Sequence, residues 1–169
     1  MNWQFWKAIL ILPGFALVYA PAVILWLTGS GQREAWIAGG DRYVLMFGVL
    51  LLVIGLALMV WTMRLFSQAR SGGTIAPWIP VADFIVTGPY RYMRNPMLSG
   101  VNLVLAAESL LLQSVPLLIW LIFFVCLNTV FFIWREEPEL EQRYGARYVR
   151  YKQAVPRWLP RLSPYEDQH

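Results

Sequence analysis

Apolar residues in this chain come in long blocks, not in alternation. The blocks cover 3–27, 43–66 and 97–135. A membrane-spanning helix needs about 20 mainly apolar residues, so each of the first two blocks predicts one helix. Pro13 and Pro21 predict kinks in the first. The third block is too long for a single helix. Its one turn-like break, Gln113-Ser114-Val115-Pro116, divides it into helices over 97–112 and 116–135 that fold back as a hairpin. Beyond it, Leu140, Tyr144, Tyr148 and Tyr151 recur at helical spacing with Arg143, Arg147, Arg150 and Lys152 between them. That pattern predicts one amphipathic helix from Glu136 to Ala154, lying along an interface. The expected fold is all-α: a single polytopic membrane domain over 1–169 with about four transmembrane helices, ending in a helical hairpin and an amphipathic C-terminal helix. A Gly-rich polar loop over 28–42 joins the first two spans. The connection over 67–95 is long, and loops of that length are usually functional or disordered. Trp78, Ile79, Phe84, Ile85 and Val86 argue against disorder.

Composition agrees with the pattern. The chain is 58% hydrophobic and 14% charged, whereas soluble domains average about 45–50% and about 25%. Cys126 is the only cysteine, which excludes an intrachain disulfide, and no Cys/His spacing suggests a metal site. The only histidine is the terminal His169. The net charge of +4 does not point to nucleic acid, because the basic residues flank the apolar blocks. Of the 14 Lys and Arg residues, all but Arg33 and Arg42 fall on the side of the termini and the long loop. The positive-inside rule places that side in the cytoplasm, as in a multi-pass protein of a prokaryotic inner membrane. The stretch after Lys7 is too long for a secretory signal and reads as a retained span.

The hairpin carries the candidate chemistry. Counting back about 20 residues from the turn reaches Arg94-Asn95-Pro96; counting forward about 20 reaches Arg135-Glu136-Glu137, at the same depth. Antiparallel helices pack about 8–10 Å apart, so the two groups face each other at the cytoplasmic boundary. Pro96 suits a first helical turn and Asn95 a cap, while Pro138 makes the backbone around 134–137 irregular. Ser99 and Gly100 leave room for a flat ligand. The two carboxylates suit hydroxyls or cations, Arg91 and Arg94 suit a carboxylate, and Tyr90, Tyr92 and Trp134 offer aromatic faces to a cation. S-adenosylmethionine, with an amino-acid end, a ribose and a sulfonium, meets all three. Glu108 lies inside the third span, where a charge costs roughly 2.5–3.5 kcal/mol; it is assigned to hydrogen bonding or to an acceptor tunnel. Asn102 and Asn128 are nearly equidistant from the turn and are expected to bond across it.

GPYRYMRNPMLSG (88–100), EEPEL (136–140) and YGARYVRYKQAVPRWLPR (144–161) together resemble the isoprenylcysteine carboxyl methyltransferase and phospholipid methyltransferase superfamily. The resemblance covers 84–161. It implies S-adenosylmethionine in a cytoplasm-facing pocket and a lipophilic acceptor arriving from the bilayer, with membrane lipids as surroundings. By position it puts Arg94, Asn95, Pro96, Gly100, Glu136 and Glu137 on the cofactor side; Tyr90 and Arg91 join them as cofactor-binding candidates on their own chemistry. Tyr148, Tyr151 and Pro156 fall on a closing C-terminal segment; Trp134, Tyr148, Tyr151 and Glu108 are taken as the acceptor side. Asn95 stands where the family has His, and Leu98 where it has Tyr; asparagine keeps a donor and an acceptor but cannot become a cation. Methyl transfer needs alignment above all. A carboxylate acceptor, held by Arg94, needs no base and is favoured; a phospholipid amine or a thiol would need one, from Glu137 or Glu136. The competing classes are an NADPH-dependent membrane reductase and a non-catalytic scaffold.

Overall fold

The computed structural model describes residues 14–29, 42–68 and 86–166. Expectations placed on 1–13, 30–41, 69–85 and 167–169 lie outside them. The described residues are all-α, without a strand. Helix α1 covers Phe15–Thr28, α2 Arg42–Gln68, α3 Pro96–Leu111 and α4 Val115–Phe131; α5 is Glu137–Tyr144 and α6 Ala146–Ala154. A 3₁₀ turn, Gly88–Arg91, precedes α3, and a π turn, Phe132–Glu136, joins α4 to α5.

Two stretches are long and apolar enough to cross a membrane, Arg42–Leu65 and Val115–Tyr144, while Phe15–Thr28 and Pro96–Leu111 are shorter apolar helices. The two long ones are not core helices of a soluble protein, since only 17% and 6% of their apolar windows are buried. Phe47, Val53, Trp61, Ile119, Phe123 and Phe131 all point outward. About 20 residues cover the hydrocarbon, so the charged end of the second stretch, from Arg135 onward, projects beyond it.

Proline explains both π turns. One, Phe15–Tyr19, ends two residues before Pro21; the other ends two residues before Pro138. Proline brings no N–H and crowds the carbonyl four residues back, and the wider π ring relieves that crowding. Ala20 N–H therefore donates to Phe15 O, and Glu137 N–H to Phe132 O. At the first turn this leaves Ala16 O without an intrahelical donor, and Trp120 Nε1 of α4 donates to it at 3.1 Å. Proline thus creates an acceptor that ties α1 to α4. At the second, the same reasoning leaves Ile133 O without an intrahelical donor, at the level of the paired acids.

The break at Gln113 is a Schellman turn. Ser114 N–H donates to Ser109 O at 3.0 Å and Gln113 N–H to Leu110 O at 3.2 Å, with Gln113 left-handed at φ 47. The hairpin does not pack as expected, however. The main partner of α3 is α2, not α4. Gly48, Gly55 and Thr62 recur every seventh residue on α2, and a Cβ on Gly55 would stand 2.8 Å from Gly100 O. Close backbone approach at small residues is how helices gain contact in lipid. The core of Met59, Val101, Val104 and Leu105 sits beside this crossing. Nor do Asn102 and Asn128 bond: Asn128 Nδ2 donates to Phe124 O of its own helix at 2.7 Å, and Asn102 Oδ1 is buried without a partner.

The single amphipathic helix expected over Glu136–Ala154 is also broken. Gly145 takes φ 55, ψ −137, a region open essentially to glycine alone, and separates α5 from α6. Nothing lies within 4 Å of a Cβ built there, so substitution acts on the backbone only. Gly145→Ala is expected to destabilise by about 1–3 kcal/mol, read as a lower thermal midpoint in detergent.

Candidate active site

The 3₁₀ turn and the first turn of α3 hold one wall of the site. Gly88 permits the entry: its φ is +57 and a Cβ would fall 2.6 Å from Leu65 Cδ1 of α2. Asn95 caps α3 through its backbone, accepting from Ser99 N–H at 2.9 Å, while its side chain makes no capping bond. That frees the amide for other partners. Pro96 is fully buried at the helix start.

The opposite wall begins where α5 starts. Arg94 Nη1 donates to Glu137 Oε1 at 2.7 Å, so the two ends of the hairpin meet. Two further cations converge on the same carboxylate. Arg157 reaches Oε1 with Nε at 2.9 Å and Nη2 at 2.6 Å, and Lys152 Nζ lies 3.0 Å from Oε2. Lys152 also pairs with Glu141 at 2.7 Å. Glu137 itself is only 3% exposed. Burial alone would raise its pKa, but hydrogen bonds from Arg157 and Lys152 and the nearby guanidinium charges outweigh burial and leave it below the usual range. A carboxylate so held is a poor proton acceptor, and the base role expected for Glu137 does not fit this geometry. Glu136 is the contrary case: burial, with Glu139 and Glu137 adding, pushes its carboxyl up to about 7.

Arg94 keeps one unused donor. Its Nε is buried with no hydrogen-bond partner. Behind it Tyr148 and Tyr151 are buried, and Tyr151 Oη donates to Tyr90 O at 2.7 Å. Burial and the Glu137 charge push the Tyr148 hydroxyl up, with Arg94 opposing.

The C-terminal segment closes the site. Arg94 N–H donates to Pro156 O at 2.9 Å and Asn95 N–H to Arg157 O at 3.2 Å; returning, Arg161 N–H donates to Tyr92 O and Tyr165 N–H to Arg91 O. Trp158 reaches across the hairpin: its carbonyl accepts from Ser99 Oγ of α3 and its Nε1 donates to Thr129 Oγ1 of α4.

A family model for phospholipid methyltransferase matches residues 43–147. The chain belongs to that family. No curated protein and no solved structure matches it. As a phospholipid methyltransferase family member with two outward-facing apolar helices, it is a membrane methyltransferase.

Within this methyltransferase the expected site residues divide. Arg94, Asn95, Pro96, Glu136, Glu137, Tyr90, Tyr148 and Tyr151 lie together at the end of the hairpin away from the Schellman turn. Arg91 turns instead to the C-terminal segment, its Nε donating to Tyr165 O at 2.9 Å. Gly100 faces α2, where a Cβ would stand 2.7 Å from Met59 Cγ; its small size serves helix packing, and Ser99 is covered by Trp158. Trp134 is 81% exposed and points away. Glu108 sits at the other end of α3, near the Schellman turn, and cannot reach the ionic cluster. Arg157, Lys152 and Trp158 were missed as members of the site. Arg157 belongs to the VPRWLPR run, which carries part of the resemblance but no periodicity to show what it touches.

Proposed function

We propose that the protein is an S-adenosylmethionine-dependent methyltransferase acting on a lipophilic acceptor, with carboxyl O-methylation, as in isoprenylcysteine carboxyl methyltransferases, the favoured reaction. The observation that carries this reading is the buried Arg94 guanidinium, fixed by Glu137 through one nitrogen and unpartnered at Nε, within a methyltransferase family match. In this reading α1 and α3 complete a four-pass bundle, and the basic residues set the termini and the Arg94 wall in the cytoplasm.

The donor set fits the group. Arg94 Nε and the Asn95 amide suit a carboxylate, Glu136 suits ribose hydroxyls or an ammonium, and Tyr90 lies beside them. When bound, S-adenosylmethionine supplies a methyl on an already good leaving group, so orientation and exclusion of water are the main tasks left to the protein. Arg94 orients, Glu137 holds Arg94 in place, and Trp158, bonded to Ser99 of α3 and Thr129 of α4, covers the site together with the C-terminal segment. An acceptor carboxylate is ionised at neutral pH and needs no base, which agrees with a Glu137 committed to cations. Glu136, held up to about 7, favours one second reading: an amine acceptor with Glu136 as base.

Labelled S-adenosylmethionine should bind the purified protein in detergent. Arg94→Lys, which loses the planar fork, should weaken binding at least tenfold, the effect of a charged hydrogen bond of about 1.5–3 kcal/mol. Binding of NADPH in place of S-adenosylmethionine would sink the reading in favour of a reductase; binding of neither would favour a scaffold. With S-adenosylmethionine at saturation, Glu136→Gln separates the acceptors, since it should cost methylation of an amine far more than that of a carboxylate.

A further inference from the structure

Arg157 is the residue where the closing segment is locked twice. Its side chain grips Glu137 Oε1 with Nε and Nη2, while its main-chain carbonyl accepts from Asn95 N–H. Its neighbour Pro156 accepts from Arg94 N–H. One short stretch therefore holds both the backbone of the Arg94–Asn95 pair and the carboxylate that fixes the Arg94 side chain. Arg94 and Arg157 share a single oxygen, at 2.7 Å and 2.6 Å, so each restrains the other through it. Farther on, residues 158–166 add Trp158 against Thr129, Arg161 against Tyr92 and Tyr165 against Arg91, but none of these reaches Glu137.

We propose that Arg157 is a positioning residue that latches the C-terminal strap, residues 155–166, onto Glu137, and that this closed strap fixes Arg94 and Asn95 for the methyl donor. The proposal rests on the donor site described above. A two-point guanidinium grip is what makes arginine the residue for this task; lysine keeps the charge but offers one point. Lys152, more exposed and shared with Glu141, secures α6 and cannot replace the grip, because it approaches Oε2 and carries none of the strap's carbonyls. With the latch open, the strap keeps its main-chain bonds and the side-chain bonds of Ser99 and Thr129 with Trp158 and of Arg91 with Tyr165, but loses its tie to the Glu137 carboxylate, so the stretch around Arg157 opens locally at lower cost. The donor would then exchange faster.

The test compares wild type, Arg157→Ala and Arg157→Lys as purified full chains in detergent. Two measurements are made: amide hydrogen exchange at Arg94, Asn95, Arg161 and Tyr165, and equilibrium binding and dissociation of labelled S-adenosylmethionine. In Arg157→Ala, exchange at those amides should quicken at least tenfold, and the label should dissociate at least tenfold faster with the number of sites per chain unchanged. Arg157→Lys should fall between, and it carries the test alone if the alanine variant does not fold. A merely structural residue gives a different result, fewer binding sites at unchanged affinity, and that outcome overturns the proposal. So does unaltered exchange at Arg94 and Asn95. If wild type binds no S-adenosylmethionine, the donor reading fails and with it the positioning role; faster exchange in the variant would then leave only a strap latch.

Discussion

Replacing Glu137 by alanine is expected to remove about 3–5 kcal/mol of stability, the usual cost of taking one partner from a buried ion pair. The size follows from what is left behind. Arg94, Arg157 and Lys152 all use this carboxylate, and the first two are largely buried, with side chains 11% and 19% exposed. Lys152 retains Glu141, whereas neither guanidinium has a second carboxylate among the described residues. The two cations would repel, Arg94 would move, and displacement of a positioning group by about 1 Å can cost on the order of 100-fold in rate. Glu137→Gln should follow at somewhat lower cost, because one oxygen still accepts. Acid provides an independent check with a definite sign. The pKa of Glu137 is lowered in the folded protein, so its contribution is complete above the unfolded carboxylate value of about 4.3 and disappears as pH falls through the depressed folded value. Thermal midpoints of wild type and Glu137→Gln should thus differ most near neutrality and converge only in strong acid. Parallel curves down to the lowest pH would show that the carboxylate charge contributes nothing.

Much of this cluster was legible as position and little of it as partnership. Counting outward from the Gln113 break puts residues 94 and 137 at one level, because helical rise is constant and the break is sharp; α3 and α4 start within a residue of the expected bounds. The pairing of Arg94 with Glu137 follows from that register and from charge. Arg157 was not reachable in this way. It lies beyond α6, past Gly145 and Pro156, where the chain has no period from which to count. The amphipathic spacing of Leu140, Tyr144, Tyr148 and Tyr151 also runs straight through Gly145 and hides the break, since the apolar face resumes after it. The preference of α3 for α2 is hidden for another reason. Apolar residues line every side of these helices, so hydrophobicity does not tell a protein face from a lipid face. The discriminating feature is small size, and the spacing of Gly48, Gly55 and Thr62 does record it, but the facing glycine on α3 reads in sequence as room for a ligand.

That crossing supports the second large effect. Gly55→Ala places a Cβ 2.8 Å from Gly100 O, and Gly100→Ala places one 2.9 Å from Gly55 O and 2.7 Å from Met59 Cγ. The obstacle at each site is a backbone oxygen, which cannot rotate aside, so the helices themselves must separate. Overpacking of this kind costs about 1–3 kcal/mol. In lipid no hydrophobic gain between helices compensates, since the tails are as apolar as the side chains. Gly100→Leu should exceed what local adjustment can absorb and prevent α2 and α3 from docking, read as loss of folded protein in detergent. The alanine pair offers the sharper result. Once the first alanine has forced the helices apart, the second enters space already opened, so the double variant should cost less than the two singles together, by at least the roughly 0.5 kcal/mol that marks coupled neighbours. Strict additivity would mean that each alanine is accommodated separately, and that the two backbones do not meet at Gly55 and Gly100.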